Sequence, residues 1–301
     1  MLKPIFLYLS KNKLLNRGAK KWGLKLGAKH VVAGVTIEDA MMAVKQLNDK
    51  GLVATVDHLG EFITSEQEAR DSTDYCLRTL QAIADANVDC NLSLKLTQLG
   101  LDVNEELCIQ NMRKIVAKAE SLGNFVRIDM EDSGHCQQTL DILAVLLKEF
   151  PNSVGTVIQA YLFRADEDVT ALSGINLRLV KGAYKEPASI AFQEKKRVDE
   201  NYLHIIKQHL RSGSYTAIAS HDHRIIWKVK SFCAAEKIPK SRFEFQMLYG
   251  FRTELQEKIA SEGYKMRVYV PYGTDWFGYF MRRLAERPQN IAFALRGLLS
   301  K

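Results

Sequence analysis

A closed parallel β-barrel wrapped in helices is the fold this sequence predicts, and three observations carry it. Eight short β-type runs recur from Leu52 onward, each followed by a longer segment with helical spacing. No linker rich in Pro, Gly or Ser separates these units, so one domain over 51–301 is the simpler organisation. No two glycines sit two positions apart, which removes the G-x-G-x-x-G fingerprint and argues against a dinucleotide-binding open sheet. Strand and helix alternating eight times is the pattern of a barrel with helices on its outside.

The runs follow in order: LVATV, NLSLK, FVRID, VGTVIQA, INLRLVK, YTAIAS, RFEFQM and KMRVYV. Each is rich in Val, Ile, Leu or Phe, as strands buried on both faces require. Between them Asn104 to Ser121 and Gln137 to Phe150 space their apolar residues three and four apart, the mark of helices packing one face inward. Residues 1–50 precede the first run and are expected to form a helical segment on or beside the barrel. Their first part alternates Lys or Arg with Leu, Phe and Trp22. Such a stretch suits a basic amphipathic helix on an anionic membrane surface, and equally a helix packing its apolar face on the main domain.

Composition bounds the class. With 301 residues, 47% of them hydrophobic, the chain can bury a substantial core. A net charge of +7 permits anionic partners: phosphate cofactors, acidic lipid or nucleic acid. The five cysteines, Cys76, Cys90, Cys108, Cys136 and Cys233, are odd in number and lack C-x-x-C spacing, which argues for a reducing compartment and against a zinc knuckle. No apolar run is long enough to cross a bilayer, and the start lacks a secretory signal. A cytoplasmic location is expected, with the amino end a candidate for contact with the inner face of the membrane.

In barrels of this kind the active site lies at the carboxyl ends of the strands. Those ends read Asp57, Lys95, Asp129, Gln159, Lys181, His221, Gln246 and Tyr269. A polar residue at every end of a strand set that should be apolar is hard to explain as packing, although any single one could cap a helix or pair with a neighbour. Near the end of the chain, YFMRRLAERPQN places Arg282 and Arg283 side by side on a final helix. Two guanidinium forks suit a carboxylate; the bland alternative is a solvated face on which Arg282 pairs with Glu286.

The rim thus offers cations for a carboxylate (Lys95, Arg282, Arg283), balancing anions (Asp57, Glu61, Asp129) and donors for a planar heterocycle (Gln159, Arg178). It shows no Ser or Cys nucleophile with an obvious His partner, so a cofactor is expected to carry the chemistry. The rival reading takes His221 and His223 as an H-x-H metal pair in a hydrolase barrel. It needs further ligands on other strand ends, where only His58 is near.

Nine segments in register resemble the proline dehydrogenase family: DHLGE, SLKL, RIDMED, IQAYL, RLVKGAY, ASHD, FEFQMLYG, YVPYG and YFMRRLAERP, from about residue 52 to the end. The resemblance implies a distorted (βα)8 TIM-type barrel with N-terminal helices, holding FAD without a covalent bond. It implies oxidation of L-proline to 1-pyrroline-5-carboxylate, with electrons passed to a membrane quinone and no nucleic acid partner. The chain is too short for the second dehydrogenase domain of bifunctional relatives, so a separate pyrroline-5-carboxylate dehydrogenase is expected. By the same resemblance Lys95, Arg282 and Arg283 hold the substrate carboxylate, and Tyr269 and Leu248 pack on the proline ring. Arg178 lies beside the flavin and Asp129 anchors the hydrogen bonds; these two are the implied catalytic residues. Met130, Gln159, Val180, Lys181, Gly182, Ala183, Ser220 and His221 line the cofactor, and Glu61 with Arg282 closes as a gate. No metal is implied. Ser220 stands where the family more often has Thr, which keeps the hydroxyl.

Overall fold

Strands too short to stand alone close on one another here. The computed structural model describes residues 30–60 and 63–286, with 282–286 by backbone alone. Helix α1 (Ile37–Asn48) precedes β1 (Val53–His58). Then come α2 (Glu66–Asp85), β2 (Cys90–Leu94), α3 (Glu105–Ser121), β3 (Val126–Ile128), α4 (Ser133–Glu149) and β4 (Val154–Gln159). The second half runs α5 (Ala165–Ala171), β5 (Leu177–Val180), α6 (Lys195–Arg211), β6 (Thr216–Ala219), α7 (His223–Ala235), β7 (Phe243–Leu248), α8 (Thr253–Ser261), β8 (Met266–Tyr272) and α9 (Trp276–Glu286). Every neighbouring pair is parallel, and β1 pairs with β8 from Val53 opposite Arg267 to His58 opposite Tyr272, which closes the barrel. The predicted fold class is the one observed.

Helix starts follow from short polar side chains. Ser65, Asn104, Asp132 and Asp222 each accept a backbone N–H of the first turn that follows them, satisfying donors a helix leaves open. Thr36 and Asp39 form a reciprocal capping box at α1. That helix buries Ala40, Met41, Ala43 and Val44 and packs on β1 and β8. The amino-terminal residues 1–29, including the basic amphipathic stretch, lie outside the described residues.

The apolar core lies between strands and helices, with Leu80, Ile115, Leu143, Ile205, Val229 and Ile259 facing Leu92, Ile128, Ile158, Leu179, Ile218 and Val268. The barrel interior is different: Arg127, Arg178, Glu244, Gln246 and Arg267 are all buried there. Two strands run further than their sequence runs suggest. β7 continues to Leu248 and β8 through Pro271 to Tyr272, so Gln246 and Tyr269 sit within strands and not at their ends. For β8 the reason is that a proline without an N–H is tolerated at the end of a strand, and Pro271 lies opposite Asp57 at the closing seam.

Candidate active site

One hydrogen-bonded chain crosses the carboxyl end of the barrel. Lys95 Nζ donates to Asp57 Oδ2 at 2.8 Å. The Tyr269 hydroxyl lies 2.6 Å from that same oxygen and 2.7 Å from Asp129 Oδ2. Arg178 Nη1 donates to Asp129 Oδ1 at 2.5 Å, its Nη2 to Ser93 Oγ at 3.0 Å and its Nε to Gln246 Oε1 at 2.6 Å. The Arg178 guanidinium also rests over the Tyr269 ring, 5.3 Å from its centroid. Five of the sequence's site residues, Asp57, Lys95, Asp129, Arg178 and Tyr269, are therefore in one cluster: Asp57, Arg178 and Tyr269 point inward from β1, β5 and β8, and Lys95 and Asp129 directly follow β2 and β3.

Burial sets the electrostatics. It raises the Asp57 carboxyl above its ordinary value; Lys95 opposes the shift and Asp129 adds to it. Burial works against the Lys95 ammonium, yet Asp57 and Asp129 outweigh it and its pKa rises. The Tyr269 phenol is pushed well up, first by burial and then by the two carboxylates. One hydroxyl proton thus serves two carboxylate oxygens, while Asp57 Oδ1 is buried without a hydrogen-bond partner. The cluster is poised to take further donors.

A second group of predicted residues rings β4, β5 and β6. Gln159 Nε2 donates to the Glu131 carbonyl at 2.8 Å, beside buried Met130. Glu131 in turn accepts from Thr97 N and Oγ1, which fixes the loop after β3. Val180 ends β5, and Lys181 after it pairs with Asp199 and lies 3.9 Å from Asp222. Gly182 follows at φ +113°, and a Cβ there would stand 2.3 Å from the Tyr161 ring. Only glycine fits that turn. Ala183 is exposed, and Ser220 Oγ accepts the Asp222 N–H at 3.1 Å.

His221 Nε2 accepts the backbone N–H of Leu248 at 3.0 Å. That nitrogen is an acceptor, so the ring proton of the neutral imidazole sits on Nδ1. The same bond spends the lone pair that a metal would need there, and His223 opens α7 without joining it. No cluster of three or more His, Cys, Asp or Glu suited to a metal occurs among the described residues. The metal-pair reading of His221 and His223 loses its ligand geometry.

Glu61 lies outside the described residues, as do the side chains of Arg282 and Arg283. The backbone of α9 carries positions 282 and 283, and Trp276, Tyr279, Phe280 and Met281 seat that helix against Val31, Val32 and Leu59 beside the end of β1. Sequence reasoning missed Glu244, Arg267 and Ser93. For Glu244 and Arg267 the available signal was a charge flanked by apolar residues, FEF and MRV, at inward positions of buried strands.

A family model described as proline dehydrogenase matches residues 40–295. Proline dehydrogenase 1 of Bacillus subtilis subsp. natto is 53% identical over 100% of both chains. The proline dehydrogenase of Deinococcus radiodurans is 45% identical, covering 93% of this chain and 91% of its own. The crystal structure of proline utilization A (PutA) from Bdellovibrio bacteriovorus, inactivated by N-propargylglycine, superposes with a TM-score of 0.82 at 29% identity. It covers 89% of this chain, which spans 33% of that longer protein.

Proposed function

This chain belongs to the proline dehydrogenase family, and from that premise we propose that it oxidises L-proline to 1-pyrroline-5-carboxylate at the mouth of the barrel. The family implies a flavin, and the residues fit FAD. Gly182 keeps the turn after β5 free of a side chain, Lys181 places a cation beside it, and Gln159, Met130, Val180, Ala183, Ser220 and His221 surround the same strand ends. FAD, when bound, supplies the acceptor for the two electrons and hydrogen removed from the proline ring.

The observation that carries the reading is the unbroken chain from Lys95 to Arg178. It holds two cations and two carboxylates with a tyrosine between them. Lys95 is 19% exposed and gives one bond to Asp57, so its ammonium has donors left for a substrate carboxylate. Arg282 and Arg283 complete that clamp and Leu248 closes on the ring. Arg178 uses three donors on the protein and has N–H groups to spare for the electron-accepting ring, where fixed positive charge stabilises developing negative charge. Asp129 holds Arg178 in place. The substrate amine loses its proton to solvent, and positioning does the remaining work. Glu61 and Arg282 form the gate, a membrane quinone takes the electrons, and a separate pyrroline-5-carboxylate dehydrogenase takes the product. No described helix is long and apolar enough to cross a membrane, and residues 1–29 are the candidates for peripheral contact.

Purified protein is expected to show a flavin absorption band that bleaches when proline is added without oxygen. Protein that carries stoichiometric metal and no flavin, or a flavin band untouched by proline, would overturn the reading.

A further inference from the structure

Below the site, β7 carries two inward polar side chains that the reaction as described does not use. Gln246 Nε2 donates to Glu244 Oε1 at 2.5 Å, while Gln246 Oε1 accepts from Arg178 Nε at 2.6 Å. Glu244 is itself held on both oxygens: Arg267 Nε donates to Oε1 at 2.7 Å, Arg267 Nη2 to Oε2 at 3.1 Å and the Tyr215 hydroxyl to Oε2 at 2.9 Å. Arg267 Nη1 is tied to the Ala54 carbonyl of β1 at 2.6 Å. Glu244, Gln246 and Arg178 are 2%, 3% and 4% exposed, so water does not substitute for any of these partners.

An amide can face two ways, and here its surroundings decide. Reversed, it would turn its NH2 toward an Arg178 donor and its oxygen toward a carboxylate, two repulsions in a low dielectric. The Glu244 charge therefore sets the Gln246 amide, and the Gln246 carbonyl sets the Arg178 guanidinium. Asp129 and Ser93 hold only the Nη edge; Gln246 is the partner on Nε that stops the plane from pivoting.

We propose that Gln246 is a positioning residue for Arg178, with its amide orientation dictated by the Glu244–Arg267 pair on the barrel floor. The inference rests on the reading above that Arg178 faces the flavin. It makes an interior ion pair part of the tuning of the electron acceptor.

The test uses the FAD-loaded enzyme and three variants: Arg178→Met as the reference, Gln246→Met, and Gln246→Asn, which keeps an amide too short to span both partners. The readouts are the flavin reduction potential by dye equilibration, the limiting rate of bleaching by proline, KM, FAD stoichiometry and Tm. Both Gln246 variants are expected to move the potential in the same direction as Arg178→Met but less far, and to slow bleaching about tenfold, as for one hydrogen bond to a charged group. FAD content and KM should stay near wild type. A lowered Tm with potential and bleaching unmoved would mean a purely structural role and overturn the proposal. Loss of FAD from both variants would overturn it too, since a residue acting only on orientation leaves loading intact. If Arg178→Met itself leaves the potential unmoved, the placement of Arg178 at the flavin fails first, and Gln246 with it.

Discussion

Tyr269→Phe isolates one hydroxyl whose position is unusual. That oxygen stands 2.6 Å from Asp57 and 2.7 Å from Asp129, both otherwise committed to Lys95 and Arg178. The Phe variant keeps the ring under Arg178 and removes only the bridge. Hydrogen bonds to charged groups are worth about 1.5–3 kcal/mol each, and one proton shared between two acceptors should count for about 2–4 kcal/mol in all. For a chain of this size that corresponds to a fall in Tm of about 3–6 °C at pH 7. The pH dependence has a definite sign. Asp57 already has a raised pKa in the fold through burial, and losing the phenol raises it further. A carboxyl raised in the folded state adds stability as pH falls and loses it as pH rises. The gap between wild type and variant should therefore narrow on acidification. Urea unfolding at a series of pH values measures it directly. A gap below about 1 kcal/mol at pH 7, or one that widens toward acid, would show that the hydroxyl does not bridge the two carboxylates.

Three further outcomes are expected. Gly182→Ala should lower FAD stoichiometry, read from the ratio of flavin to protein absorbance, because its Cβ would meet the Tyr161 ring at 2.3 Å; full loading with unchanged Tm would count against the turn as a cofactor cradle. His58 and His209, lowered to about 4 chiefly by burial, stay neutral in the fold, so stability present above pH 6.5 should be lost as pH falls toward 4, by up to about 3 kcal/mol each. His209→Gln should flatten that decline in a pH series of unfolding midpoints, and an unchanged slope would refute it. Tyr269, proposed to pack on the proline ring, should crowd a 4-hydroxyl and favour proline over 4-hydroxyproline; Tyr269→Ser should narrow that preference, and an unmoved ratio of kcat/KM values for the two substrates would refute the steric argument.

Much of this was legible in the chain because parallel strands buried on both faces announce themselves as apolar runs, and any polar residue ending one stands out. Lys95 and Asp129 fall one position past β2 and β3, and Gln159 is the last residue of β4, where the reading placed them. Tyr269 was placed at a strand end and lies deeper, since a run broken by Pro271 looks finished when it is not, and Gln246 lies inside β7, which continues to Leu248. The partnership of Glu244 with Arg267 was hidden for a different reason. The two are 23 positions apart and become neighbours only once β7 and β8 pair, with Gln246 opposite Arg267. Local pattern shows a charge interrupting each run; only the closed sheet shows the partner.

Why the interior should be polar at all bears on function. A buried ion pair is often no more stabilising than apolar residues of the same volume, whereas breaking one by removing a partner is strongly unfavourable. Apolar layers would fill this barrel at less risk. Instead Lys95, Arg178 and Arg267 are set against Asp57, Asp129 and Glu244, so the paired charges cancel. The remaining interior cation, Arg127, sits against carbonyl oxygens of Thr156 and Asn176, and burial, reinforced by Arg178, lowers its pKa to about 9. Burial opposes ionisation of Glu244, yet Arg267 holds its carboxyl down to about 2, so it stays charged throughout the working range and fixes Gln246 at every pH of interest. An interior with so many mutually dependent bonds has few alternative arrangements. What it secures is the orientation of Arg178 at the mouth, and that is the position where a guanidinium of fixed direction matters to an electron-accepting ring.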